Sequence, residues 1–243
     1  MPVPVLEHSH RPDEIASRLS VRPKASYLRD WIYGGIDGAV TTFAIVAGAV
    51  GASLTPNIIL VLGVANLLAD GFSMAAANYS GSKSEDEAYA RLLAIEEKHI
   101  CLAPEGEREE IRQIFRAKGY EGDDLDDLVR LVTSNRATWL ETMMQAEYGL
   151  TASTRSPLKA ACATFAAFVF CGSLPLLPFV FGFRSSAVYT TILTALAFFL
   201  IGSIKSRWST KGWLYSAFET TGIGLSAAAI AYLAGYLLRG ISV

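Results

Sequence analysis

The fold class this sequence predicts is an all-α membrane protein, with five transmembrane helices and a helical insert between the second and the third. Three observations carry that reading. The chain is 51% hydrophobic over 243 residues, with a mean hydropathy of +0.33, and its apolar residues fall in long blocks that soluble domains of this size rarely contain. The acidic excess is confined to one segment: Gly81 to Arg155 holds 16 acidic and 10 basic residues, net −6, while the remainder holds 7 and 11, net +4. Finally, Asp37 and Asp70 lie inside the apolar runs Trp31 to Val50 and Asn57 to Ala77. A carboxylate in a bilayer costs about 2.5–3.5 kcal/mol on insertion scales, and is tolerated mainly beside a partner helix, water or an ion.

A helix needs about 20 mostly apolar residues to cross the hydrocarbon core. Five stretches qualify, at roughly 30–53, 57–80, 157–181, 185–205 and 211–238. Before them, residues 1–26 are polar and lack the apolar core of a signal peptide, which predicts a mobile tail. Ser53-Leu54-Thr55-Pro56 makes a tight turn between the first two spans, with Pro56 suited to a first helical turn. The third span breaks late, at Pro175 and Pro178, and Lys205, Arg207 and Lys211 separate the last two. The domains expected are therefore 27–80 (spans one and two), 81–155 (an acidic helical domain) and 156–243 (spans three to five).

Within the insert, no polar break follows Tyr79, so span two is expected to run on towards His99. A second helix covers Gly106 to Lys118, with Ile111, Ile114 and Phe115 on one stripe. A third starts near Asp123-Asp124, where acidic residues suit a helix N-terminus, and runs to Tyr148. Lys and Arg crowd the N-terminal tail and the 205–211 loop, while the turn after span one has neither. By the positive-inside rule the N-terminus and the insert are cytoplasmic and the C-terminus lies outside.

The polar residues narrow the function. Asn66, Asp70, Met74 and Asn78 recur every four residues, making a stripe on one helix that serves either as ion ligands or as helix–helix hydrogen bonding. Asp37 sits within Gly34-Gly35-Ile36-Asp37-Gly38, where small residues allow close helix approach. This is no phosphate-binding loop, since no strand precedes it and no Gly-Lys-Ser/Thr follows. In the insert, Glu96 with His99, Glu107 with Glu110, and Met143 with Glu147 each share a helix face. Carboxylates suit divalent cations, and imidazole or thioether shifts the preference towards later transition metals such as Fe(II). For any one of these glutamates the plainer reading is a solvated acidic face, and Met143 or Met144 reads equally as core filler. Glu219, early in span five, reads equally as a snorkelling or capping carboxylate paired with Lys211 or Lys205.

Other classes fall away. The three histidines, His8, His10 and His99, offer no nucleophile–base pair, so no catalytic residues and no enzyme activity are expected. Cys101, Cys162 and Cys171 have neither a disulfide nor a zinc spacing. No basic stripe with interleaved aromatics suggests nucleic acid.

Taken together, Gly35-Ile36-Asp37-Gly38-Ala39-Val40-Thr41-Thr42 resembles the Asn-Asp-Gly-Leu-Val-Thr signature of the vacuolar iron transporter (VIT) family. Gly71-Phe72-Ser73-Met74-Ala75-Ala76-Ala77-Asn78-Tyr79 resembles that family's Ser-Met-Ala-x-Gly-Glu-Tyr segment. The stretch from Glu107 through Glu110, Ile111, Ile114 and Phe115 to Gly119-Tyr120 is similar to its cytoplasmic helices. So is the stretch from Trp139 through Met143-Met144 to Glu147-Tyr148-Gly149-Leu150. Ser156-Pro157 opening span three, and Leu174 to Pro178 closing it, also match. The resemblance covers about residues 27–238.

That resemblance implies a homodimer with the ion path between the copies. It implies export of Fe(II), and of Mn(II) in many members, from the cytosol in exchange for protons. Divalent metal ions and the lipid bilayer are then the partners, and no organic cofactor is expected. Asp37 and Met74 would be path ligands. Glu107, Glu110, Met143 and Glu147 would bind metal in the insert, completed by Glu96 with Glu97 or His99. The chain departs from the pattern at Asn78, where the family has Glu, at Asn66, where another acid is expected, and at Asp70, where a small residue is usual. One carboxylate has thus moved along the same stripe. A bacterial-type inner membrane is the expected location. The competing expectation is a non-transporting scaffold or a ferroxidase-like metal-binding protein. A di-iron bundle pairs two Glu-x-x-His motifs, and this chain has one, Glu96-Glu97-Lys98-His99.

Overall fold

A computed structural model describes residues 9–20, 25–208 and 210–240, Trp208 by its backbone alone. All regular structure among the described residues is helical, without strands. The helices are α1 (Pro12–Ser20), α2 (Leu28–Gly51), α3 (Pro56–Leu102), α4 (Pro104–Ala117), α5 (Gly122–Ser134), α6 (Arg136–Ala146), α7 (Pro157–Ser173), α8 (Leu177–Val180), α9 (Ser186–Lys205) and α10 (Trp213–Leu238), with 3₁₀ turns at Leu174–Leu176 and Ser206–Trp208. Five helical segments are long and apolar enough to span a membrane: α2, α3, α7 continued through α8, α9 and α10. Their outward faces carry Leu68, Phe72, Leu196, Leu200, Ile230 and Leu237, all more than half exposed, the pattern of a lipid-facing surface.

Helix α2 is the hub, touching α3, α7, α9 and α10. Its approach to α7 depends on two glycines one turn apart. A Cβ on Gly34 would lie 2.4 Å from the Thr164 carbonyl oxygen, and one on Gly38 would lie 2.3 Å from that of Phe168. Backbone cannot retreat from such contacts, so small residues fix the interhelix distance here. Val46, Ala49, Ile59, Leu67, Phe168, Leu176 and Phe179 fill the space among α2, α3 and α7–α8. Phe43 and Phe198 close it towards α9, beside Ala39 and Ala228.

Helix α3 continues without a break for 47 residues, about 70 Å at 1.5 Å per residue. Its outer half carries the insert. There Ile100, Ile111, Leu125, Val129, Trp139, Leu140 and Met143 form a second core, separate from that of the spans. The acidic face therefore stands on a packed three-helix scaffold against α3.

One expectation changes. The helix foreseen from Asp123 to Tyr148 is two helices, α5 and α6, broken at Asn135. The Asn135 side chain accepts from the Ala137 and Thr138 amides, an N-cap that restarts the helix in a new direction. In the N-terminal tail, Pro12–Ser20 is a helix with no buried residue, while residues 1–8 and 21–24 lie outside the described residues. The turn before Pro56 and the late break of span three stand as the sequence indicates.

Candidate metal sites

The insert brings three predicted residues together. Glu96 and His99, one turn apart on α3, meet Glu107 from the first turns of α4. His99 Nδ1 lies 3.5 Å from a Glu107 carboxylate oxygen and 3.9 Å from one of Glu96. Glu96 is 1% exposed and Glu107 4%. The Oε2 atoms of both are buried without a hydrogen-bond donor. A buried anionic oxygen without a donor is costly, and is relieved either by a proton or by a cation.

The electrostatics agree. The Glu107 carboxyl is pushed up to about 7, first by burial, then by the neighbouring charges of Glu110 and Glu96 and by close approach to the Glu96 carboxyl. Glu147 is also raised, again chiefly by burial. Glu110 and Glu147 line a cleft of 310 Å³ beside this cluster, with Glu109, Gln113 and Ile114. Glu110 and Glu147 thus stand within electrostatic reach of the buried pair.

The other two expected ligands fare differently. Met143 is wholly buried within the second core, packed among its apolar residues. Glu97 is exposed, one residue and hence about 100° round the helix from Glu96. It lies outside the cluster, leaving His99 as the neighbour that joins Glu96. Sequence reasoning missed Tyr148, whose hydroxyl donates to Glu96 Oε1 at 2.8 Å.

In the spans, the polar stripe of α3 flanks its packed stripe. Ile59, Gly63, Leu67, Gly71 and Ala75 are buried, while Asn66, Asp70, Met74 and Asn78 are half-buried along the neighbouring edge. Asp37 of α2 is likewise half-buried and lies within electrostatic reach of Asp70. Among the described residues no Lys or Arg pairs with either. Asn66 donates to Thr41 Oγ1 at 3.4 Å, and that hydroxyl donates to the Asp37 carbonyl at 2.9 Å. Asn66 therefore braces the helix turn that carries Asp37.

Asn78 belongs to a third cluster, centred on Asp30, which the sequence did not flag. Asp30 is 7% exposed. It accepts from Asn78 Nδ2 at 3.0 Å and from the Arg155 guanidinium, and Asn78 also reaches Thr164 Oγ1 at 2.7 Å. Met74 and Asn78 open with Asp30, Glu85 and Arg155 onto a cavity of 480 Å³ between α2, α3 and α7. The one available signal was the adjacent pair Arg29-Asp30 at the edge of an apolar run; its partner is 125 residues away. Glu219 takes the pairing anticipated for it, 3.6 Å from Lys205 and 3.4 Å from Lys211.

Asp30 is buried while Arg155 is half-exposed, so removing the guanidinium strands one buried carboxylate, at a cost of about 1–3 kcal/mol. Arg155→Gln is expected to lower the melting temperature in detergent by several degrees, and Asp30→Asn with Arg155→Gln to recover most of it. Equal destabilisation by the single and double variants would show that the pair carries no such energy.

A model of the VIT family matches residues 28–236. Vacuolar iron transporter 1 of Arabidopsis thaliana is 34% identical over 208 residues, covering 84% of this chain and 83% of that protein. Vacuolar iron transporter 1 of Tulipa gesneriana is 35% identical, covering 84% of each. The vacuolar iron transporter of Plasmodium berghei is 30% identical over 244 residues, covering 96% of this chain and 89% of that protein.

Proposed function

Because the chain belongs to the VIT family, we propose that it is a divalent transition-metal transporter, with Fe(II) as cargo and Mn(II) accepted, that exports metal from the cytosol in exchange for protons. The observation that carries this is the Asp37–Asp70 pair: two carboxylates within the spans, near one another, with no basic partner among the described residues. Such a pair is stable at low dielectric with a proton or a divalent ion between its members, and a transporter needs both of those states.

The acidic domain raises the local cation concentration. Glu96, Glu107 and His99 take up the ion, with Glu110 and Glu147 at their edge. It passes by the cavity of Asp30, Glu85, Asn78 and Met74, where Asn78 is held by hydrogen bonds rather than free to ligate. It then reaches Asp70 and Asp37. The polar stripe of α3 is half-exposed in a single chain, so a second copy facing it would complete the ligand set and make the homodimer that the family resemblance implies. The helical domain and the N-terminus are assigned to the cytoplasm because Arg29, Arg155, Lys159, Lys205 and Arg207 cluster at that end of the spans.

The test is Fe(II) and Mn(II) uptake into proteoliposomes with and without an imposed pH gradient, with oxygen consumption followed in the same vesicles. Metal flux that acidifies the compartment the ion leaves is expected. Oxygen consumption without flux would replace the transporter by a ferroxidase, and neither signal would leave a scaffold.

A further inference from the structure

A cavity of 760 Å³ opens between α2 and α10 and belongs to neither metal cluster. We propose that it holds one anionic phospholipid, with its headgroup on Arg29, Arg155 and Lys205 and one acyl chain along α2.

The lining is divided by chemistry. Leu28, Ile32 and Ile36 recur every four residues on α2, forming an apolar track along the helix, with Ile223 of α10 opposite. Arg29, Arg155 and Lys205 stand at the end nearest the helical domain. A free phosphate has no use for the apolar track, and a neutral lipid has no use for three cations. An anionic phospholipid uses both, as basic pockets between membrane helices do. The volume also falls in the range of about 300–1,000 Å³ usual for ligand sites.

The cations are only partly neutralised from within. Among the described residues no carboxylate lies within ion-pair distance of Arg29, whose guanidinium stacks on the Tyr33 ring at 5.4 Å. Arg155 bonds Asp30 on one side, yet its Nε is buried with no acceptor. Lys205 is 3.6 Å from Glu219, a carboxylate it shares with Lys211. A phosphodiester oxygen supplies the acceptor this group lacks. Arg29, Tyr33 and Arg155 line both this cavity and that of Met74 and Asn78, so the headgroup would border the proposed ion route.

The experiment is native mass spectrometry and thermal unfolding of the full chain, delipidated in detergent and titrated with phosphatidylglycerol, phosphatidylcholine or inorganic phosphate. One phosphatidylglycerol per chain is expected to be retained, and to raise the melting temperature where phosphatidylcholine and phosphate do not. Arg29→Gln with Lys205→Gln should weaken retention by about tenfold or more. Ile36→Trp, which fills the track without changing charge, should weaken it as well. Equal retention of the two lipids, equal protection by phosphate, or phosphatidylglycerol binding untouched by these variants would overturn the proposal. So would a change in oligomeric mass in Ile36→Trp with lipid retention intact, which would assign the groove to a second copy. None of these outcomes depends on metal transport, so the lipid site and the transport reading fail separately.

Discussion

Asp37→Asn is expected to reduce Fe(II) flux in proteoliposomes by two to three orders of magnitude while the protein still folds. The size follows from what the substitution removes. A carboxylate that compensates a buried cation contributes about 3–5 kcal/mol when its partner is left unmatched, and each 1.4 kcal/mol is a factor of about ten. The stability effect has the opposite sign. Asp37 has no basic partner to lose among the described residues, and Asp70 is a like charge close by. An amide of the same shape removes a repulsion and no attraction, so the melting temperature of Asp37→Asn should match or exceed the original. Wild-type flux in this variant would take Asp37 out of the path. A misfolded variant would show that Asp37 is a structural residue with a partner of its own.

Glu107→Gln is expected to weaken metal binding and, without metal, to stabilise the protein at neutral pH. The Glu107 carboxyl titrates near 7 in the folded chain, above its ordinary value of 4.5. The folded state therefore holds a proton that the unfolded state has released, across the interval between those values. Stability falls as pH rises through that interval, and the full cost of the ionised group is present above about 7. Glutamine carries no such cost. The variant should resemble the wild type at low pH and exceed it above neutrality, as read by thermal unfolding in chelator.

Metal reverses the order. Below about pH 7 an incoming ion must displace the Glu107 proton, so its affinity should rise with pH by up to about tenfold per unit, then level off. Calorimetry in buffers of different ionisation enthalpy would count the released proton. In Glu107→Gln the affinity should be lower and the rise lost. A pH-independent affinity in the wild type, unchanged by the substitution, would reduce the cluster to a solvated acidic face.

The sequence carried the features set by local pattern. Runs of apolar residues fixed the five spans, Pro56 fixed the start of α3, and the lack of any break after Tyr79 fixed its length. A stripe of polar residues every four positions placed Asn66, Asp70, Met74 and Asn78 on one edge, where they lie. The break at Asn135 was also locally written, as a capping residue between two helix-forming stretches, but helical periodicity on both sides concealed it.

Tertiary structure decided which of these groups meet. Tyr148 reaches Glu96 across 52 residues, Asn78 reaches Asp30 across 48, and Arg155 reaches Asp30 across 125. Met143 was drawn into an apolar core while Glu97, beside Glu96, was turned to solvent. One chain position thus separates a nearly buried carboxylate from an exposed one. By itself, then, the sequence determined that carboxylates stand in the membrane and on an acidic domain, because periodicity and hydropathy are properties of neighbouring residues. Which carboxylates lose their water and face one another was decided only by helix packing, since desolvation and Coulomb energy depend on distances through space and not along the chain.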